Sequence, residues 1–194
     1  MTEEAPQLAP ARLGTLRGLE DPAISPEERS FLGAFAEKHR FDPKEVRVAS
    51  LIDSSGERAG MVVVLPIGLL RSLAERTGKF VGTELPEFVR DGQGVPAAAT
   101  VRVRRTDLER GVVRTAFWHE RSPRIEEGEP LGRWASEPDT MLAEVAEALA
   151  LRGAFPSVFE GVYTEGDLSE ALRDLELSRV RTDSELRRQL EALR

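Results

Sequence analysis

Between Ala98 and Arg124 seven arginines (Arg102, Arg104, Arg105, Arg110, Arg114, Arg121 and Arg124) stand against three acids, Asp107, Glu109 and Glu120. Guanidinium groups at this density bind anions, because each offers a planar fork of donors that fits phosphate oxygens and stacks on flat rings. The excess is local: the whole chain of 194 residues carries a formal net charge of −7. Affinity for a phosphate backbone rests on Lys and Arg, so the distribution of charge matters here more than its sum. The competing reading is a solvated hairpin face whose arginines are balanced by neighbouring acids.

Other chemistry is scarce. His39 and His119 stand apart from any metal-binding spacing such as H-E-x-x-H. The chain has no cysteine, which removes disulfides, cysteine zinc sites and thiol nucleophiles. No G-x-x-x-x-G-K-[ST] loop occurs, and Gly92-Gln93-Gly94 is too short to cradle a nucleotide phosphate. The acids are too scattered to hold two metals for a nuclease. The expectation is a binding protein with no catalytic residue, cofactor or metal. No apolar run approaches the roughly 20 residues needed to cross a bilayer, and the N-terminus is acidic and Pro/Ala-rich, so a cytoplasmic protein without a membrane partner is expected.

The elements that must position the arginines can be read from periodicity. Val95 to Arg105 alternates, with Ala97, Ala99, Val101 and Val103 on one side and Ala98, Thr100, Arg102 and Arg104 on the other. Gly111 reopens a second strand, Val112 to His119, with Thr106 to Arg110 as the turn and Arg114 expected on the polar side with Arg102 and Arg104. Like charges so placed require an anion over them, either a phosphate or an acid such as Glu120. Residues 122–131 read as a loop over this site.

Behind the hairpin a helix is expected with Ser136 as its N-cap, Pro138 in the first turn and Asp139 completing a box-like start. Met141, Leu142, Val145, Ala146 and Leu149 form its buried face, Glu144, Ala148 and Arg152 line another, and Pro156 ends it. Upstream, Ser25-Pro26-Glu27-Glu28 opens a helix that buries Phe31, Leu32 and Phe35 and stops before Asp42-Pro43. A hairpin follows, 45–51 and 61–65 around Asp53-Ser54-Ser55-Gly56; its second strand is either buried on both faces or a plain core strand. The predicted organisation is a flexible arm over 1–20, one domain over 21–175 and a short helical tail over 176–194. The fold class is α+β: a small antiparallel sheet with a hairpin, covered by helices, with an arginine-bearing groove between hairpin and capped helix.

Trp134, Pro138, Met141-Leu142, then Ala150-Leu151-Arg152-Gly153-Ala154-Phe155-Pro156 and Gly161-Val162-Tyr163-Thr164 together resemble the RecT/Redβ (Bet) family of phage single-strand DNA annealing proteins. A second block in the expected order, Ile67 to Gly78 (IGLLRSLAERTG), resembles that family's short helix, and the resemblance extends over roughly residues 20–170. It implies ATP-independent annealing of complementary strands in phage or prophage recombination. It also implies single-stranded DNA and annealed duplex as ligands, and rings or helical filaments of many copies. A 5′–3′ exonuclease and a host single-strand binding protein are the partners it brings with it. Carried residue by residue, it marks Arg71 and Arg152 as basic positions, with Arg76 and Lys79 close behind. These join the hairpin set Arg102, Arg104, Arg105 and Arg114 as the candidate DNA contacts. Arg71 and Arg76 have an equal alternative in pairing with Glu75 on the helix surface, and Trp134 either stacks on a base or, the favoured reading, anchors the helix. Where the family often has Lys or Arg this chain has Asp139, Thr140, Ala143, Glu144 and Gly153. It therefore reads as a divergent acidic member, with an assembly-only homologue that does not anneal DNA as the alternative.

Overall fold

The structure, a computed structural model, describes residues 12–53, 55–121 and 132–175. The expected tail over 176–194 and the loop over 122–131 lie outside these residues. Two four-stranded sheets are present rather than one small sheet. In the first the order is β1-β2-β3-β8, with β1 (Arg12–Leu13), β2 (Arg47–Ile52) and β3 (Arg58–Val64) antiparallel and β8 (Val162–Tyr163) parallel to β3. In the second, all antiparallel, β6 (Pro96–Arg105) is central; β7 (Leu108–Phe117) pairs along one side, and β4 (Phe80–Thr83) and β5 (Glu87–Arg90) follow each other along the other.

The first helix, α1 (Pro26–His39), starts where the sequence says it must. Ser25 Oγ accepts from the Glu28 amide at 3.2 Å, and the Glu28 carboxylate accepts from the Ser25 amide at 3.0 Å, a reciprocal cap for two otherwise unpaired donors. Glu28 is buried and also accepts from the Ser50 hydroxyl at 2.8 Å and pairs with Arg17 at 3.4 Å, which ties the helix start to β2 and to the N-terminal segment. That segment is not a free arm from residue 12 onward. Arg12 and Leu13 pair with Ile52 and Leu51, and Arg17 bridges Val48, because Leu13 and Leu16 have an apolar surface to cover. Residues 1–11 lie outside the described part.

A largely buried helix, α5 (Pro138–Ala154), nine of whose 17 residues are buried, joins the two sheets. Met141, Leu142, Val145, Ala146, Ala148, Ala150, Leu151 and Ala154 are all buried, and they share one apolar cluster with Val48 and Val63 of the first sheet and Ala99, Val101 and Val103 of the second. Five alanines let backbones approach closely on every side. On the second face Ala148 is buried and Glu144 and Arg152 are half-buried, and Leu149, expected on the buried face, is only half-buried. The start differs too. Ser136 belongs to the short helix α4 (Arg133–Ser136), next in chain order after the one-turn α3 (Trp118–Arg121), and Glu137 occupies the N-cap of α5 without a side-chain hydrogen bond. In β3, Val62, Val63 and Val64 are all buried, so the strand is apolar on both faces. Residues 168–175 are helical and set Leu168, Ala171, Leu172 and Leu175 over the other face of the first sheet.

Candidate nucleic-acid interface

The β6–β7 hairpin turns tightly. Arg105 pairs with Leu108, leaving Thr106 and Asp107 as a two-residue turn instead of the five residues expected. The remaining residues enter β7 as a bulge at Gly111, where φ is +66° and a Cβ would stand 2.6 Å from the Val103 carbonyl oxygen. The bulge decides which arginines meet. Beyond it Val101 opposes Arg114 and Arg102 opposes Val113, and directly opposed residues share a face. Arg114 is thus on the α5 side of the sheet, not with Arg102 and Arg104. Its guanidinium lies over the last turn of α5, 3.0 Å from where a Cβ on Gly153 would stand.

The opposite face of the second sheet is open. It carries Arg102 and Arg104 with Thr100, whose hydroxyl is 2.9 Å from that of Thr115. The anion that the two like charges require comes from Glu84, between β4 and β5, at 3.2 Å from Arg102 Nε and 2.8 Å from Arg104 Nε. Arg102 also donates to the Arg110 carbonyl at 2.6 Å.

At the hairpin turn Arg105 is bidentate to Asp107 (2.8 and 2.7 Å) and Lys79 lies 3.0 Å from the same carboxylate. Hydrogen bonds from Arg105 first, then Lys79, hold the Asp107 carboxyl well below the usual carboxylate range. Arg105 also donates to the Ala154 carbonyl and sits 4.7 Å above the Phe155 ring, so it caps the C-terminus of α5 with a cation.

The other candidates serve the fold. Arg71, on α2 (Ile67–Glu75), pairs not with Glu75 but with buried Glu147 of α5, both nitrogens at 2.6 Å, and Thr83 donates to the same carboxylate at 3.0 Å. Those hydrogen bonds raise the Arg71 pKa further. Arg76 donates to the His39 carbonyl and lies 4.7 Å over Phe41. Arg152, 15% exposed along its side chain, pairs with fully buried Asp167 at 2.9 Å and covers Tyr163 at 4.4 Å. Burial pushes the Asp167 carboxyl up, against the pull of Arg152. Trp134 is buried, edge-on to Trp118 at 5.4 Å.

The candidate cations are therefore distributed rather than aligned in one groove: two on the open face, two at the hairpin turn, Arg114 at the end of α5, and Arg71, Arg76 and Arg152 held by partners within the scaffold, the first two still exposed to solvent. Sequence reasoning missed their counter-ions. Glu84 and Glu147 had no local signal, and the acids at Asp139 and Glu144 are paired by Arg90 at 2.5 Å and Arg133 at 3.3 Å. It also missed a cleft of about 510 Å³ that includes Trp134 and Met141, with Arg47 and Arg133 among its lining. Among the described residues no group of three or more His, Cys, Asp or Glu is placed to hold a metal, and no helix is long and apolar enough to cross a membrane.

A family model described as "RecT family" matches residues 63–180, more than half of the chain and the whole of the second sheet, α2 and α5. No curated protein matches the chain.

Proposed function

The chain belongs to the RecT family of phage single-strand annealing proteins, and from that membership we propose that it binds single-stranded DNA and anneals complementary strands without ATP. The strand runs over the open face of the second sheet. Arg102 and Arg104 take its phosphates in place of Glu84, with Thr100 and Thr115 as neutral donors between them. Lys79, Arg105 and Arg114 extend positive charge around the hairpin. Holding the backbone leaves base edges free, so pairing between strands and not protein contact supplies the sequence information. One such face covers only a few nucleotides, so copies act side by side, in a ring or filament. The reading places the protein in the cytoplasm of a phage host, on the single strand left by a 5′–3′ exonuclease and beside the host's single-strand binding protein.

What supports this reading most is that a solvent-open sheet face bearing two adjacent arginines falls inside the region matched to the family. One observation favours the assembly-only alternative: Glu84, Glu147, Asp107 and Asp167 already neutralise most of the candidate arginines. Joint replacement of Arg102 and Arg104 by alanine separates the two readings. Loss of single-strand binding with assembly intact supports annealing, and wild-type protein that assembles but binds no DNA supports the alternative.

A further inference from the structure

Every large hydrophobic residue that is strongly exposed among the described residues lies along the two outer strands of the second sheet. Val81, Leu85 (89% exposed) and Val89 belong to the β4–β5 run, and Leu108, Val113 and Phe117 belong to β7. Both runs are edges, since β4 and β5 pair only with one side of β6 and β7 only with the other. An open edge with apolar side chains is a template for another strand.

The two edges match in level. Val89 and Phe117 both oppose Ala98. Val113 opposes Arg102, whose carbonyl accepts the amide of Glu84, the neighbour of Leu85. Leu108 and Phe80, the neighbour of Val81, both oppose Arg105. They also differ in charge. The β4–β5 run carries exposed Glu84, Glu87 and Arg90, whereas β7 carries exposed Glu109, Arg110 and Arg114.

We infer that copies of this chain associate edge to edge, β7 of one against the β4–β5 run of the next, so that the second sheet continues from copy to copy. Both edges run opposite to β6, so copies related by a small rotation meet with parallel strands. Phe117 then lies beside Val89 and Leu108 beside Phe80, apolar cross-strand contacts toward the two ends of the edge, while Val113 comes level with Glu84. Two different edges make a heterologous contact, which propagates to a ring or a filament. The same contact sets the Arg102–Arg104 faces of successive copies side by side; for its role in annealing, the inference rests on the reading above.

The test uses two edge variants of the full chain, Leu85→Asp with Val89→Asp, and Leu108→Asp with Val113→Asp, checked for folding by circular dichroism. Sedimentation is followed with and without an oligothymidine strand. Wild type is expected to form large assemblies, each variant to stay monomeric, and an equimolar mixture of the variants to stop at a one-to-one pair, because only one intact edge remains on each. Folded variants that assemble like wild type, a mixture that stays monomeric, or a wild type that is monomeric throughout would overturn the inference. Annealing is measured on the same samples: edge-dependent assembly in a protein that does not anneal upholds the contact and sinks the annealing reading, whereas annealing by a wild type whose assembly ignores both edges does the reverse.

Discussion

Arg71 of α2 and Glu147 of α5 form a bidentate ion pair across the helix interface, Nε and Nη2 each 2.6 Å from a carboxylate oxygen. Glu147 is nearly buried, whereas Arg71 is 47% exposed along its side chain. Removing the cation strands a buried carboxylate, which costs about 3–5 kcal/mol in fully buried pairs; with half of Arg71 in water, roughly 1–3 kcal/mol is expected. Urea unfolding of Arg71→Ala checks this. A midpoint unchanged from wild type would return Arg71 to the list of DNA contacts.

Arg102 and Arg104 should behave in the opposite way. Their pairs with Glu84 are at the surface, where ion pairs contribute about 0–1 kcal/mol, so the double alanine variant should unfold at nearly the wild-type urea concentration. Its single-strand affinity should fall, and the slope of log affinity against log salt should flatten by about 1.4, two phosphates at roughly 0.7 each. Glu84→Gln frees both arginines and should raise affinity at the same salt.

Gly111 carries the register of the hairpin. At φ +66° with the Val103 carbonyl 2.6 Å from any added Cβ, alanine has neither the backbone region nor the space. Gly111→Ala should cost about 1–3 kcal/mol in local strain alone, read by thermal unfolding. A melting temperature equal to that of wild type would mean that the bulge does not set the register.

Glu28 gives the fold an acid-sensitive joint. Burial disfavours its charge, but hydrogen bonds from the Ser25 amide and Ser50 hydroxyl, the Ser25 side chain and nearby Arg17 outweigh that and lower its pKa. A carboxyl lowered on folding contributes stability that is complete above its unfolded value, near 4.3, and is lost as pH falls through the lower folded value. Glu28→Gln should therefore unfold more easily at neutral pH and lose less stability than wild type on acidification below about pH 4. Parallel pH profiles for the two would exclude Glu28 as the joint.

Local grammar made much of the scaffold legible. The cap at Ser25, most of the apolar face of α5 and the alternation of β6 from Ala99 onward depend on neighbours three, four or two residues apart, and the structure places them as read; the exceptions are half-buried Leu149, buried Ala98 and Glu137 in place of Ser136 as the cap of α5. The site was less legible because it depends on register and on distant partners. A turn of two residues with a bulge moves Arg114 to the other face, and no spacing in the sequence announces it. Likewise Arg71 finds Glu147, 76 positions away, before it finds Glu75. Counting arginines located the basic segment; only the counter-ions show which of them face solvent with charge to share.

The central claim is tested most directly by mixing two complementary dye-labelled oligonucleotides with the protein, without ATP, over a series of salt concentrations. The account predicts faster pairing than in buffer alone, fading as salt rises and independent of the sequence chosen. Folded, assembled protein that gives no acceleration even at the lowest salt would contradict it.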